Sequence, residues 1–126
     1  MLKQILIADD SGTIRRILRH FLEDRRGVKV CGEAANGCEA VEKARNLRPD
    51  LVLLDLAMPE MNGAEAASVL RKMLPNVFII VFTLYGEHIG RALTSAAGVD
   101  LVLSKPDGMR ALAEAIETLV AGGHRT

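Results

Sequence analysis

Five short, continuous apolar runs alternate along this chain with segments whose apolar residues recur every three or four positions. The runs cover 4–8, 29–33, 51–54, 77–82 and 100–104. Short continuous runs rich in Val, Ile and Leu are the signature of parallel strands buried on both faces. Between them, Ile14, Ile17, Leu18, Phe21 and Leu22 follow helical spacing, as do Met109, Leu112, Ala113, Ile116, Leu119 and Val120. Asn36 followed by Glu39 resembles a capping box and opens a helix bearing Val41, Ala44 and Leu47, which Pro49 stops. Ala67, Leu70 and Leu74 mark a further helix. The segment 86–97 has a thin apolar stripe and an internal Gly90, so a helix of low local stability is expected there. Strict alternation of strand and helix predicts an α/β fold, a doubly wound five-stranded parallel sheet flanked by five helices. Ligands of such sheets bind beyond the carboxyl ends of the strands, at the switch point.

The chemistry of the chain sits at those ends. The first run closes in Asp9-Asp10, the third in Asp55, the fourth in Thr83 and the fifth in Lys105-Pro106. If the runs are parallel neighbours, three carboxylates, a hydroxyl and an ammonium converge. Adjacent carboxylates at the end of a buried strand are costly unless a positive group lies among them. Mg²⁺, a hard ion bound through carboxylates, a carbonyl and water, suits Asp9 and Asp10, with Asp55 completing the cluster. A carboxylate is also a covalent nucleophile toward phosphorus. Asp55 is therefore a candidate aspartyl-phosphate site, with Thr83 and Lys105 placed to meet the phosphoryl oxygens.

Composition narrows the field. At 126 residues the chain fits one domain, read as 1–126 with a core at 3–121. Sixteen basic and sixteen acidic residues balance to zero formal charge, which favours neither nucleic acid nor an anionic membrane as a direct partner. The longest apolar stretch is far below the ~18 residues of a membrane span, and no secretory h-region precedes the first run. Cys31 and Cys38 make neither a disulfide framework nor a metal-ligand set, and fit reduced thiols in the cytoplasm.

Taken together, Ile-Leu-Ile-Ala-Asp9-Asp10, Asp55-Leu-Ala-Met-Pro-Glu-Met-Asn-Gly63, Val-Phe-Thr83 and Leu-Ser-Lys105-Pro106 resemble the response-regulator receiver domain, the CheY-like module of bacterial two-component signalling. The resemblance implies Asp55 as phosphoacceptor. It implies Asp10, Asp55 and the Ala57 carbonyl as Mg²⁺ ligands, with Asp9 acting through the acidic pocket or water. It implies Thr83 and Lys105 as the residues engaging the phosphoryl group, and a cis bond between Lys105 and Pro106. Its partners would be a sensor histidine kinase or phosphotransfer protein, and an output partner meeting the face formed by 86–97 and 100–120 through residues such as Glu87, His88, Arg91 and Arg110. Phosphorylation-dependent homodimerisation belongs to the same expectation. The protein would be a stoichiometric phosphoacceptor rather than an enzyme with an external substrate, with no output domain in the chain.

The chain departs from the family pattern in two places, and two positions that vary in the family bear on the lifetime of the phosphorylated state. Val102 stands where a ring usually swings inward with the Thr, and Leu84 where a small residue is usual. Ala57 cannot orient a hydrolytic water and Tyr85 would shield the acyl phosphate, so a long-lived phosphorylated state is expected. Other readings stay open at this point. A degenerate receiver would act as a phosphorylation-independent interaction module. A phosphatase of the haloacid-dehalogenase kind would need Asp-x-Asp after the first strand, where Asp55-Leu56-Ala57 on the third does not fit. A flavodoxin-like cofactor binder would need a Ser/Thr/Gly-rich loop where Asp9-Asp10 stands.

Overall fold

The computed structural model describes residues 2–84, 91–92, 97–105 and 108–122. Strands β1 (Lys3–Ala8), β2 (Val28–Ala34), β3 (Leu51–Leu54), β4 (Phe78–Thr83) and β5 (Leu101–Ser104) form one sheet in the order β2-β1-β3-β4-β5. Every neighbouring pair is parallel. Helices α1 (Gly12–Glu23), α2 (Gly37–Leu47), α3 (Gly63–Met73) and α4 (Met109–Val120) are the four among the described residues. The expected α/β architecture is therefore observed, and each strand end lies within one residue of its expected place. The helix expected at 86–97 lies outside the described residues apart from Arg91 and Ala92, which are helical, and Ala97, which begins a turn. Glu87, His88 and the Lys105–Pro106 bond also lie outside them.

The continuous apolar runs exist because both faces of the sheet are covered. Leu6, Ala8, Val52, Leu54, Ile79 and Val81 pack into one core with residues of α2 and α3, including Ala40, Ala44, Ala67 and Leu70. Their neighbours in sequence, Ile5, Ile7, Leu51, Leu53, Ile80 and Phe82, pack into the other with Leu18 and Leu22 of α1 and Leu112 and Ile116 of α4. Each buried Leu or Ile contributes roughly 1.5–3 kcal/mol of transfer free energy. A strand slipped by one residue would exchange the two sets, so the register is tightly specified.

Local signals set the helix ends. Ser11 caps α1, its hydroxyl accepting from the Ile14 N–H. Asn36 caps α2 through the Glu39 N–H at 2.8 Å, while the Glu39 carboxylate reaches past the cap to the Ala35 N–H. The reciprocal box belongs to α3: Asn62 accepts from the Glu65 N–H, and the Glu65 carboxylate accepts from the Asn62 N–H. The Asn-x-x-Glu spacing at 62–65 repeats that at 36–39, so the signal was present in the sequence.

Arg71, near the end of α3, ties down the far side of the sheet. Its Nε and Nη2 donate to the Gly98 carbonyl, its Nη1 to the Pro75 and Val77 carbonyls at 2.8 Å, and its Nη2 to Asp100 at 2.6 Å. The same Asp100 oxygen accepts from the Ile79 N–H at the start of β4. Gly98 has φ +78, and a Cβ there would stand 2.8 Å from Arg71 Cγ. Arg71→Ala removes a charged donor from two partly buried acceptors, the Val77 carbonyl and Asp100, and from two exposed carbonyls, and is expected to destabilise the fold by about 2 kcal/mol. A urea-unfolding midpoint equal to wild type would contradict this.

Candidate functional site

The strand order reverses between β1 and β3, since the chain leaves β1 for β2 on one side and returns to β3 on the other. Ala8 pairs with Leu54, and the Asp55 N–H donates to the Ala8 carbonyl at 2.8 Å, so Asp9 and Asp55 emerge side by side. On the other flank Thr83 pairs with Ser104, and the Lys105 N–H donates to the Thr83 carbonyl at 2.8 Å. Four residues far apart in sequence thus meet at one sheet edge because parallel pairing carries all strand ends to the same side.

Here Lys105 Nζ lies 2.8 Å from Asp9 Oδ2 and 3.2 Å from Asp55 Oδ1. The other Asp9 oxygen accepts from the Ser11 N–H at 2.9 Å. Both oxygens of Asp9 are therefore engaged by the protein, and this carboxylate is nearly inaccessible. Asp55 and Thr83 are also buried, whereas Asp10 is exposed. One carboxylate oxygen from each of Asp9, Asp10 and Asp55 lies within 4.8 Å of the others. A cavity of about 650 Å³ here is lined by Asp9, Asp10, Asp55, Ala57, Thr83 and Lys105. Ser11, Ile14 and Leu84 form its rim, and Leu84 is 73% exposed.

Electrostatics follow from this crowding. Burial raises the Asp55 pKa, repulsion from Asp9 raises it further, and Lys105 and the Ala57 N–H only partly offset them. For Lys105, burial opposes the charge, but the Asp9 hydrogen bond and attraction to both carboxylates outweigh it and raise the pKa. One ammonium is thus shared between two buried carboxylates, which leaves the cluster short of positive charge. The oxygen donors and their negative excess fit a divalent cation.

The loop after Asp55 has little freedom. The Gly63 N–H donates to the Leu56 carbonyl at 2.9 Å, and a Cβ at Gly63 would collide with the Asp55 carbonyl. Gly37, at the start of α2, donates to the Met61 carbonyl at 3.0 Å, where a Cβ would also collide. These glycines let two helix starts press on the loop, fixing Asp55 at the mouth of the cavity.

All the expected site residues converge: Asp9, Asp10, Asp55, Ala57, Thr83 and Lys105 line the one cavity. Leu84 is at its rim as a bulky group, while Tyr85 lies outside the described residues. Val102 is buried in the core, 5% exposed. Sequence reasoning did not find Arg15, whose Nη1 donates to the Asp9 carbonyl at 2.6 Å. One arginine among the several on α1 carries no signal of that contact.

Comparison with known proteins agrees with the geometry. The family model described as the response regulator receiver domain matches residues 5–117. The chemotaxis protein CheY of Thermotoga maritima is 40% identical over 104 residues, covering 82% of this chain and 86% of that one. The response regulator VraR of Staphylococcus saprophyticus is 38% identical over 115 residues, covering 90% of this chain but 54% of VraR. Among solved structures, a chain of the CheX-CheY-BeF3-Mg²⁺ complex from Borrelia burgdorferi superposes with a TM-score of 0.83 at 25% identity, covering 93% of this chain and 88% of that one.

Proposed function

The chain belongs to the response regulator receiver domain family, whose function is to accept a phosphoryl group, and we propose that Asp55 is the acceptor here. The observation that supports this most directly is the placement of Asp55. It is buried between Asp9 and Lys105 yet faces the cavity at the switch point. The donor would be a phosphohistidine of a sensor histidine kinase or phosphotransfer protein. An Asp55 carboxylate oxygen attacks phosphorus, the P–O bond forms, and the P–N bond to histidine breaks with its electron pair returning to the imidazole.

Asp10, Asp55 and the Ala57 carbonyl would hold Mg²⁺, with Asp9 supporting them through its charge and through Lys105. Bound there, the cation would screen the carboxylates from the incoming anion and stabilise charge on the transferring oxygens. The Borrelia relative was solved with BeF3 and Mg²⁺, which supports such a pair of occupants. Lys105, already 3.2 Å from Asp55, would pass to a phosphoryl oxygen, and Thr83 would donate its hydroxyl to another. Ala57 offers no polar side chain to orient water, and Tyr85 would shield the acyl phosphate, so that phosphate should be long-lived. The output surface would involve 86–97 and 100–120, where Arg110 is exposed, and could include a homodimer contact. We place the protein in the cytoplasm, acting stoichiometrically; no helix among the described residues is long and apolar enough to cross a membrane. The phosphorylation-independent alternative is not favoured, because Asp9, Asp10, Asp55, Thr83 and Lys105 line one cavity and none of them is replaced.

Intact mass after incubation with acetyl phosphate and Mg²⁺ tests this reading. One phosphoryl adduct per chain is expected, absent in EDTA and persisting for minutes or longer on removal of the donor. Failure with both acetyl phosphate and a phosphohistidine protein would reject it, as would continuous release of phosphate at high turnover.

A further inference from the structure

We propose that Arg15 is a positioning residue for the cation site, holding the turn that carries Asp9 and Asp10 from the side opposite the cavity. The proposal rests on the Mg²⁺ reading above. Arg15 lies in the first turn of α1, its own N–H bonded to the Ser11 carbonyl. From there its Nη1 donates to the Asp9 carbonyl at 2.6 Å and its Nε to Glu33 Oε1 at 3.0 Å. Glu33 is itself fixed. It lies in β2 opposite Ile7, its second oxygen accepts from Arg19 Nε at 2.6 Å, and its carbonyl accepts from Lys43 Nζ.

The contact matters because of which peptide it grips. The Asp9 carbonyl belongs to the planar unit joining Asp9 to Asp10, so its direction fixes where the Asp10 nitrogen and Cα stand. On the cavity side, the Asp9 carboxylate is held by the Ser11 N–H and Lys105. On the far side, the Asp9 N–H is held by the Ala34 carbonyl at 3.0 Å. Arg15 adds a restraint on the carbonyl itself, and so on the rotation of the next peptide, to the one that the Ser11 N–H makes through the Asp9 carboxylate. Asp10 is exposed and packed by little, so its carboxylate takes its position from that peptide. A guanidinium near a cation site would by charge alone weaken binding. Its pairing with Glu33 limits that effect and leaves the geometric one.

Arg19 provides the control, since it shares Glu33 but does not touch the turn. The experiment is calorimetric titration of Mg²⁺ into the full chain for wild type, Arg15→Met, Arg15→Lys and Arg19→Met, with urea unfolding of each in EDTA. Loss of an outer support for a metal ligand typically weakens binding ten- to a hundredfold, so about tenfold is expected for Arg15→Met. Arg15→Lys, which keeps the charge but cannot form both contacts, should also bind several-fold more weakly. Arg19→Met should stay within about twofold of wild type despite losing a comparable ion pair. Unchanged or tighter Mg²⁺ binding by Arg15→Met would overturn the proposal, as would equal losses in Arg15→Met and Arg19→Met. Arg15→Lys carries the same test if Arg15→Met does not fold. A wild-type protein that takes up no Mg²⁺ would instead reject the cation reading, before any variant is compared.

Discussion

Asp55→Asn is expected to accept no phosphoryl group and yet to be more stable than wild type in EDTA. The first effect is chemical: an amide oxygen is too weak a nucleophile to displace imidazole from phosphorus, so the mass adduct should vanish. The second follows from the environment of Asp55. Burial, then repulsion from Asp9, raise its folded pKa above the unfolded value of about 3.9 despite Lys105. A carboxylate shifted in that direction penalises the folded state once pH exceeds the unfolded value, and the penalty is absent below it. The neutral amide has no such penalty. At pH 7 in EDTA its urea midpoint should therefore rise, by on the order of 1 kcal/mol in stability. The gain should fade below about pH 4, and Mg²⁺ should narrow the gap by stabilising wild type selectively. A phosphoryl adduct retained in this variant would reject Asp55 as acceptor. A lower midpoint in EDTA would mean that attraction to Lys105 dominates the cluster.

Removing the cation from the same cluster should have the opposite sign. Lys105→Met leaves Asp9 and Asp55, both buried, facing each other without the ammonium that now lies 2.8 and 3.2 Å away. Breaking one side of a buried ion pair typically costs about 3–5 kcal/mol, because a buried charge loses its partner. The variant should unfold at a much lower urea concentration at pH 7 in EDTA. With the lysine gone, Asp55 should bind its proton still more tightly when folded, so the deficit relative to wild type should shrink as pH falls toward 4. Mg²⁺ should also restore part of the loss. In wild type, Lys105 has a raised pKa, so its stabilisation is complete below about pH 10.4 and fades as pH rises through the higher folded value. A neutral-pH stability within about 1 kcal/mol of wild type would contradict the proposed role of Lys105 as the internal counterion.

Both predictions turn on residues that could be picked out before any fold was known. Asp9, Asp10, Asp55, Thr83 and Lys105 each end an apolar run, and parallel pairing has only one place to put such ends. Other determinants were not legible. Arg15, Arg19 and Glu33 form a network across α1 and β2, and Arg71 reaches Asp100 at a separation of 29 residues. Arginines with these spacings look like any solvated helix face. Residue type and spacing alone do not distinguish Asp9 from Asp10, a difference that only the family resemblance suggested; one is buried with both oxygens engaged and the other is exposed.

The alternation of runs and helical spacing determined the α/β class, the two-faced core and the side of the sheet where chemistry would gather. That was possible because apolar burial is periodic and the ends of parallel strands share a direction. Only the tertiary structure decided how charge is divided within the cavity and what holds it in place. Lys105 is shared between two carboxylates, Arg15 donates to the Asp9 carbonyl, and glycines at 37 and 63 let neighbouring backbone close on the loop after Asp55. Those features depend on distances of about 3 Å between residues tens of positions apart, which residue type and periodicity do not encode.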